Sequence, residues 1–145
     1  MDRMISNTCE FVVGRLLEIR VARGYKSLED VDEMIGMIGE SVARLPGTEK
    51  YCIAADWRAV HLMPPDTAAR AREMLAKVNP RVVRSAILTL PEEAMTNLQV
   101  VRLVREAQNA SRRAFTDAKE MTNWLSDVLS AAELARLCTF LTPEH

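Results

Sequence analysis

The sequence predicts an α/β protein with a mixed, mostly parallel sheet of about four to five strands, helices between the strands, and an extra C-terminal helix. Three observations carry this. Short apolar or alternating runs are interleaved with longer stretches whose apolar residues recur every three or four positions. One run, Tyr51–Ala55, is apolar throughout, as a strand is when helices cover both faces of its sheet. Breakers fall between the runs, at Pro46-Gly47, Pro64-Pro65, Pro80 and Pro91.

Residues Thr8–Arg23 read as strand. In Leu17-Glu18-Ile19-Arg20-Val21 apolar and charged residues alternate, which predicts one buried face. Gly14-Arg15 divides the stretch into a hairpin of Cys9–Val13 and Leu16–Ala22, and Gly24 ends it. Ser27 is a good N-cap for the first helix, with Asp30 at the capping-box position. Leu28, Val31, Met34, Ile35, Ile38, Val42 and Leu45 form its stripe. Gly36 and Gly39 weaken this helix and are expected to allow close packing on the sheet.

The Tyr51–Ala55 strand ends on Asp56, and a loop leads to a helix starting near Asp66 and ending at Asn79-Pro80. Ala68, Ala71, Met74, Leu75 and Val78 make the expected inner face of that helix. Val82–Leu90 reads as a further core strand, ended by Pro91. The next helix, Glu92–Ala107, carries Met95, Leu98, Val101 and Val104 on one face. Arg113–Phe115 is a short strand, and Thr116-Asp117 caps a helix with Met121, Trp124, Leu125 and Val128. Ser130-Ala131-Ala132-Glu133 is a capping box opening a last helix, whose stripe is Leu134, Leu137, Cys138 and Leu141. Thr142-Pro143 ends that helix. The expected organisation is a domain at 8–129 with a helical extension at 130–145. The apolar stripe of the extension needs cover, either from the domain itself or from a second copy in a homodimer.

Composition narrows the function. A chain of 145 residues, 48% apolar and 27% charged, fits one domain with a real core. A net charge of −1 gives no bulk field for nucleic acid or an anionic membrane. No apolar run approaches the ~20 residues of a membrane span, and the N-terminus lacks the apolar core of a signal peptide. Cytoplasm is the expected compartment. Cys9, Cys52 and Cys138 are far apart, with no Cys-x-x-Cys pair, and read as free thiols. No metal or cofactor is expected. Phosphate-binding glycine loops and a nucleophile elbow are absent from the sequence. Asp56 and Asp66 read more simply as a strand end and a helix N-cap than as an acid–base pair. A phosphoacceptor receiver is excluded, because Gly24-Tyr25-Lys26 and Leu90-Pro91 stand where its acidic pair and its lysine would be.

The spacing of Asp56, Val60, Leu62, Met63, Asp66, Thr67 and Ala68 resembles the signature of STAS domains, in the branch of SpoIIAA-like anti-sigma-factor antagonists. Arg113-Ala114-Phe115-Thr116-Asp117 with Trp124-Leu125 looks like the last strand and helix of that branch. Asn97-Leu98-Gln99-Val100 is similar to a segment of its bacterial members. The similar order of elements covers about Glu10–Leu129. The resemblance implies a non-enzymatic regulatory or scaffold module that docks a protein partner, such as a kinase-like anti-sigma factor or an ATPase. The surface it implies is His61, Met63, Pro64, Pro65, Asp66, Thr67 and Arg70, framed by Arg58. Asp66 falls where the family carries its phosphorylated hydroxyl, either as a standing negative charge or as a plain cap. An alternative role is a carrier of a small apolar ligand or lipid, with some of the eight methionines lining its pocket.

Overall fold

The computed structural model describes residues 5–142. Pro143 lies outside the described residues. The described chain is an α/β fold with five strands and five helices. The strands are β1 (Thr8–Phe11), β2 (Leu16–Arg20), β3 (Tyr51–Asp56), β4 (Val82–Leu88) and β5 (Arg112–Phe115). They form one sheet in the order β1-β2-β3-β4-β5. The β1–β2 pair is antiparallel, from Thr8 opposite Arg20 to Phe11 opposite Leu17. All other neighbours are parallel. The turn of the hairpin contains Gly14 at φ +58°, a backbone that favours glycine.

Helices α1 (Leu28–Ala43), α2 (Pro65–Ala76) and α3 (Ala94–Ala107) cover one face of the sheet. Leu17, Ile19, Ile53, Ala55 and Ile87 meet Met34, Leu75 and Val100 there. Helices α4 (Ala118–Ser126) and α5 (Ala131–Leu141) cover the other face. Leu16, Cys52, Ala54, Ala86 and Leu88 pack there on Met121, Leu125, Leu137 and Phe140. This three-layer arrangement explains why β3 is apolar at nearly every position and buried along its length. No described helix is long and apolar enough to cross a membrane.

Several expectations are corrected. The alternation in β2 does not mark one wet face, since Glu18 is only 4% exposed. Its carboxylate takes two hydrogen bonds from Arg136 of α5, at 2.6 and 2.7 Å. The stripe of α5 is buried inside the chain, as the intramolecular alternative required, with Phe140 on it and Cys138 exposed. The buried face of α3 is Thr96, Val100, Leu103 and Ala107. Met95 and Leu98 are 65% and 67% exposed, and Val101 is exposed beside them. Helix α2 stops at Ala76, so Val78 lies beyond it in the open. Gly36 and Gly39 are not close-packing contacts, because a Cβ at either would meet nothing within 4 Å. Ser27 occupies the N-cap of α1 without a side-chain cap bond, and Asp30 instead accepts from the Lys26 N–H.

The capping box of α5 forms as expected, with Ser130 and Glu133 bonded reciprocally. Glu133 also accepts from the Arg15 N–H at 2.7 Å, tying the start of α5 to the hairpin. Asp56 organises the other end. It is buried and receives Arg20 at 2.6 Å and Arg58 at 2.9 Å. These arginines then donate to the carbonyls of Phe140 and Leu141. Their positive charge at the C-terminal end of α5 complements its dipole. Arg20 also lies 4.3 Å from the centre of the Phe140 ring.

Candidate functional site

The segment after β3 is held by side-chain bonds to α3. The Met63 N–H donates to Gln99 at 2.9 Å, and Gln99 Nε2 donates back to the Met63 carbonyl at 3.0 Å. His61 Nδ1 lies 3.1 Å from Glu93. Trp57 is buried edge-on to Tyr25, with ring centres 5.3 Å apart. The chain then enters α2 at Pro65, whose fixed φ and missing N–H suit the first helical position.

The seven residues expected to form a docking surface do not share one environment. His61, Pro64, Pro65 and Asp66 are exposed. Met63 is only 3% exposed and Thr67 is buried, so both belong to the interior. Asp66 is not the N-cap, because α2 begins one residue earlier and Pro64 holds that position. Its Oδ1 accepts the Thr67 N–H at 2.7 Å. Neither arginine frames the loop with free charge. Arg58 is committed to Asp56 and the end of α5, and Arg70 to Asp32 and Glu73. His61, Leu62 and Pro64 do gather with Arg23 and Lys26 around a shallow hollow of about 220 Å³.

A larger feature lies under α1 and α2. A pocket of about 680 Å³ is lined by residues of both helices and of the sheet. Its walls are aliphatic, with Ile38 and Val42 from α1, Met74 from α2, and Ile53 and Val82 from the sheet. Arg72, Glu73 and Lys77 also line it. The pocket touches both Tyr51 and Trp57, so it follows β3 for about 20 Å at the usual strand rise. Met34 and Met74 are the methionines among its lining.

Besides those charged residues and Arg70 and Asn79, the lining includes the polar side chains of Tyr25, Tyr51 and Arg112. The Tyr51 hydroxyl is bonded to Asn79 at 3.2 Å. The Tyr25 hydroxyl is buried without a hydrogen-bond partner. Burial pushes the phenols of Tyr25 and Tyr51 up, so both stay neutral at pH 7. Arg112 donates through Nε to the Leu75 carbonyl at 3.2 Å and through one Nη to Ser85 at 2.8 Å. Among the described residues no carboxylate pairs with it. Burial brings its guanidinium down to about 10, so it remains charged at neutral pH.

Sequence reasoning missed Tyr25 and Arg112. One signal was present in the strand parity. Arg112 shares its side of β5 with Ala114, which packs on the core under α1–α3. In comparisons with known proteins, no family model, curated protein or solved structure matches this chain.

Proposed function

We propose that this chain is a non-enzymatic ligand-binding module that holds a small apolar molecule between α1, α2 and the sheet. The observation that carries this is the 680 Å³ pocket with mainly aliphatic walls. Its volume lies within the range of about 300–1,000 Å³ typical of small-molecule sites. The test is titration of the full chain with Nile red, an uncharged dye that brightens in apolar surroundings. Native mass spectrometry of the purified protein runs beside it. One dye should bind per chain. Gly39→Phe should block binding without lowering the melting temperature, because Gly39 lines the pocket and a Cβ there meets nothing within 4 Å. No dye binding and no co-purified molecule would remove the pocket as the functional site.

A second reading, protein docking, is favoured by a different observation. Leu62, Met95, Leu98 and Val101 are large, apolar and exposed. The loop bearing Leu62 is tied to α3 through Gln99 and Glu93, next to exposed His61, Pro64, Pro65 and Asp66. This is the neighbourhood in which the STAS resemblance locates partner binding, with a kinase-like anti-sigma factor or an ATPase as the kind of partner. If a purified partner of that kind binds, Leu98→Asp should weaken the complex at least tenfold while Nile red binding is unchanged, about the factor expected for losing one good apolar contact. Unaltered partner affinity would move docking off this face.

A further inference from the structure

We propose that the pocket takes a long-chain monocarboxylate whose carboxylate pairs with Arg112 and accepts a hydrogen bond from the Tyr25 hydroxyl. This rests on the pocket-binding role proposed above and names the ligand class for the same site.

Arg112 is half-buried, and a guanidinium partly withdrawn from water gains when its charge and its donors are satisfied. Arg112 has two of its nitrogens occupied by neutral oxygens, and among the described residues its remaining Nη has no partner. The tyrosines beside it stay neutral at pH 7, so they bring no countercharge. Tyr25 lines the same pocket as Arg112, and its hydroxyl is buried and unpartnered. Buried polar groups are normally satisfied, so an orphan hydroxyl on a residue that lines a ligand-sized pocket points to a ligand atom. A free N–H and a free O–H call for an acceptor that offers no donor of its own, and an ionised carboxylate is such a group. Arg112 is a half-buried cation without a carboxylate partner among the described residues, and it matches one negative charge.

The rest of the ligand follows from the walls. The pocket is mainly aliphatic and touches both Tyr51 and Trp57, at either end of β3, which suits an extended alkyl chain. A zwitterionic headgroup would bring a cation toward Arg112 and is disfavoured on charge.

The experiment is calorimetric titration of the delipidated full chain with dodecanoate, dodecanol and dodecyl phosphate. Thermal melts check every variant for folding. Wild type should bind dodecanoate about tenfold or more tighter than dodecanol, the factor for one charge-assisted hydrogen bond. Arg112→Met should erase that preference while dodecanol affinity holds. Tyr25→Phe should reduce it severalfold without lowering the melting temperature, because it removes a hydroxyl that the protein leaves unbonded. If Arg112→Met does not fold, the wild-type comparison and Tyr25→Phe still decide. Equal affinity for dodecanoate and dodecanol would overturn the carboxylate assignment and leave the apolar pocket standing. Dodecyl phosphate binding about tenfold tighter than dodecanoate would overturn it in favour of a phosphate ligand. Failure of all three ligands to bind, together with failure of Nile red, would remove the pocket role itself.

Discussion

Glu18 on β2 and Arg136 on α5 are 118 residues apart in the chain and meet in a two-pronged ion pair. The carboxylate is buried and the guanidinium is partly open to water. Breaking such a pair leaves an uncompensated charge inside, whereas removing both charges is far milder. Arg136→Met should therefore lower the melting temperature clearly, and Glu18→Gln with Arg136→Met should recover part of the loss. Circular dichroism melts of the two variants are the check. An unchanged melting temperature for Arg136→Met would show that the pair does not hold α5.

Acid should loosen the start of α5. Burial would raise the Glu133 carboxyl, but hydrogen bonds from Ser130 and the Arg15 N–H outweigh it and hold the group below the ordinary glutamate value. A depressed carboxyl contributes stability above its unfolded value of about 4.3 and loses it as pH falls through the lower folded value. Urea unfolding of wild type and Glu133→Gln should differ most near pH 7. The gap should narrow as pH drops below about 4. A gap that stays constant with pH would contradict the assignment.

Gly14→Ala should destabilise the protein by at least about 1 kcal/mol. The residue sits at φ +58°, and an added Cβ would lie 2.3 Å from Glu133 Oε2. The turn becomes strained and the capping carboxylate must move. Urea unfolding measures the total, and loss of the pH-dependent Glu133 contribution identifies the second part.

Gly36→Ala and Gly39→Ala should each stabilise by about 0.5–1 kcal/mol, the usual gain from replacing an interior helical glycine. Nothing lies within 4 Å of the new Cβ at either position. Chemical denaturation of the single variants is sufficient, and a loss of stability would mean that α1 packs more tightly there than described.

Met63 and Leu98 should separate interior from surface. Met63→Ala should cost about 2–5 kcal/mol, as truncation of a buried methionine does. Leu98→Lys should stay within about 0.5 kcal/mol. Comparable losses at both would place the exposed face of α3 inside the protein.

The α/β class, the order of elements, the hairpin and the Ser130–Glu133 capping box were legible because each depends on local chemistry. Periodicity failed at α3 for a definite reason. Met95, Leu98 and Val101 repeat at helical spacing, and so do Thr96, Val100, Leu103 and Ala107. A period fixes that a helix has faces, not which face meets α2 and β5. The charged positions of β2 misled similarly, because Glu18 pairs with Arg136 of α5 and Arg20 bonds both Asp56 of β3 and the Phe140 carbonyl of α5. Met63 read as a loop residue ahead of a helix, but its side chain is in the core and its backbone is bonded on both sides to Gln99, 36 residues away. The pocket was hidden because Tyr25 and Arg112 are assembled by the sheet across most of the chain.

The sheet order follows the order of synthesis, and each new strand can pair with the one made just before it. A nascent chain can thus extend its sheet by nearest-neighbour steps, which keeps most strand contacts local in sequence. The exception is α5, which returns to the earliest strands through Arg15, Glu18 and Arg20. Until α5 has left the ribosome, the face of Leu16, Cys52 and Ala54 lacks the part of its cover that Leu137, Phe140 and Leu141 supply, and Glu18 lacks its cation. The growing chain is therefore most exposed to aggregation when its sheet is already complete, and the final closure is one long-range event.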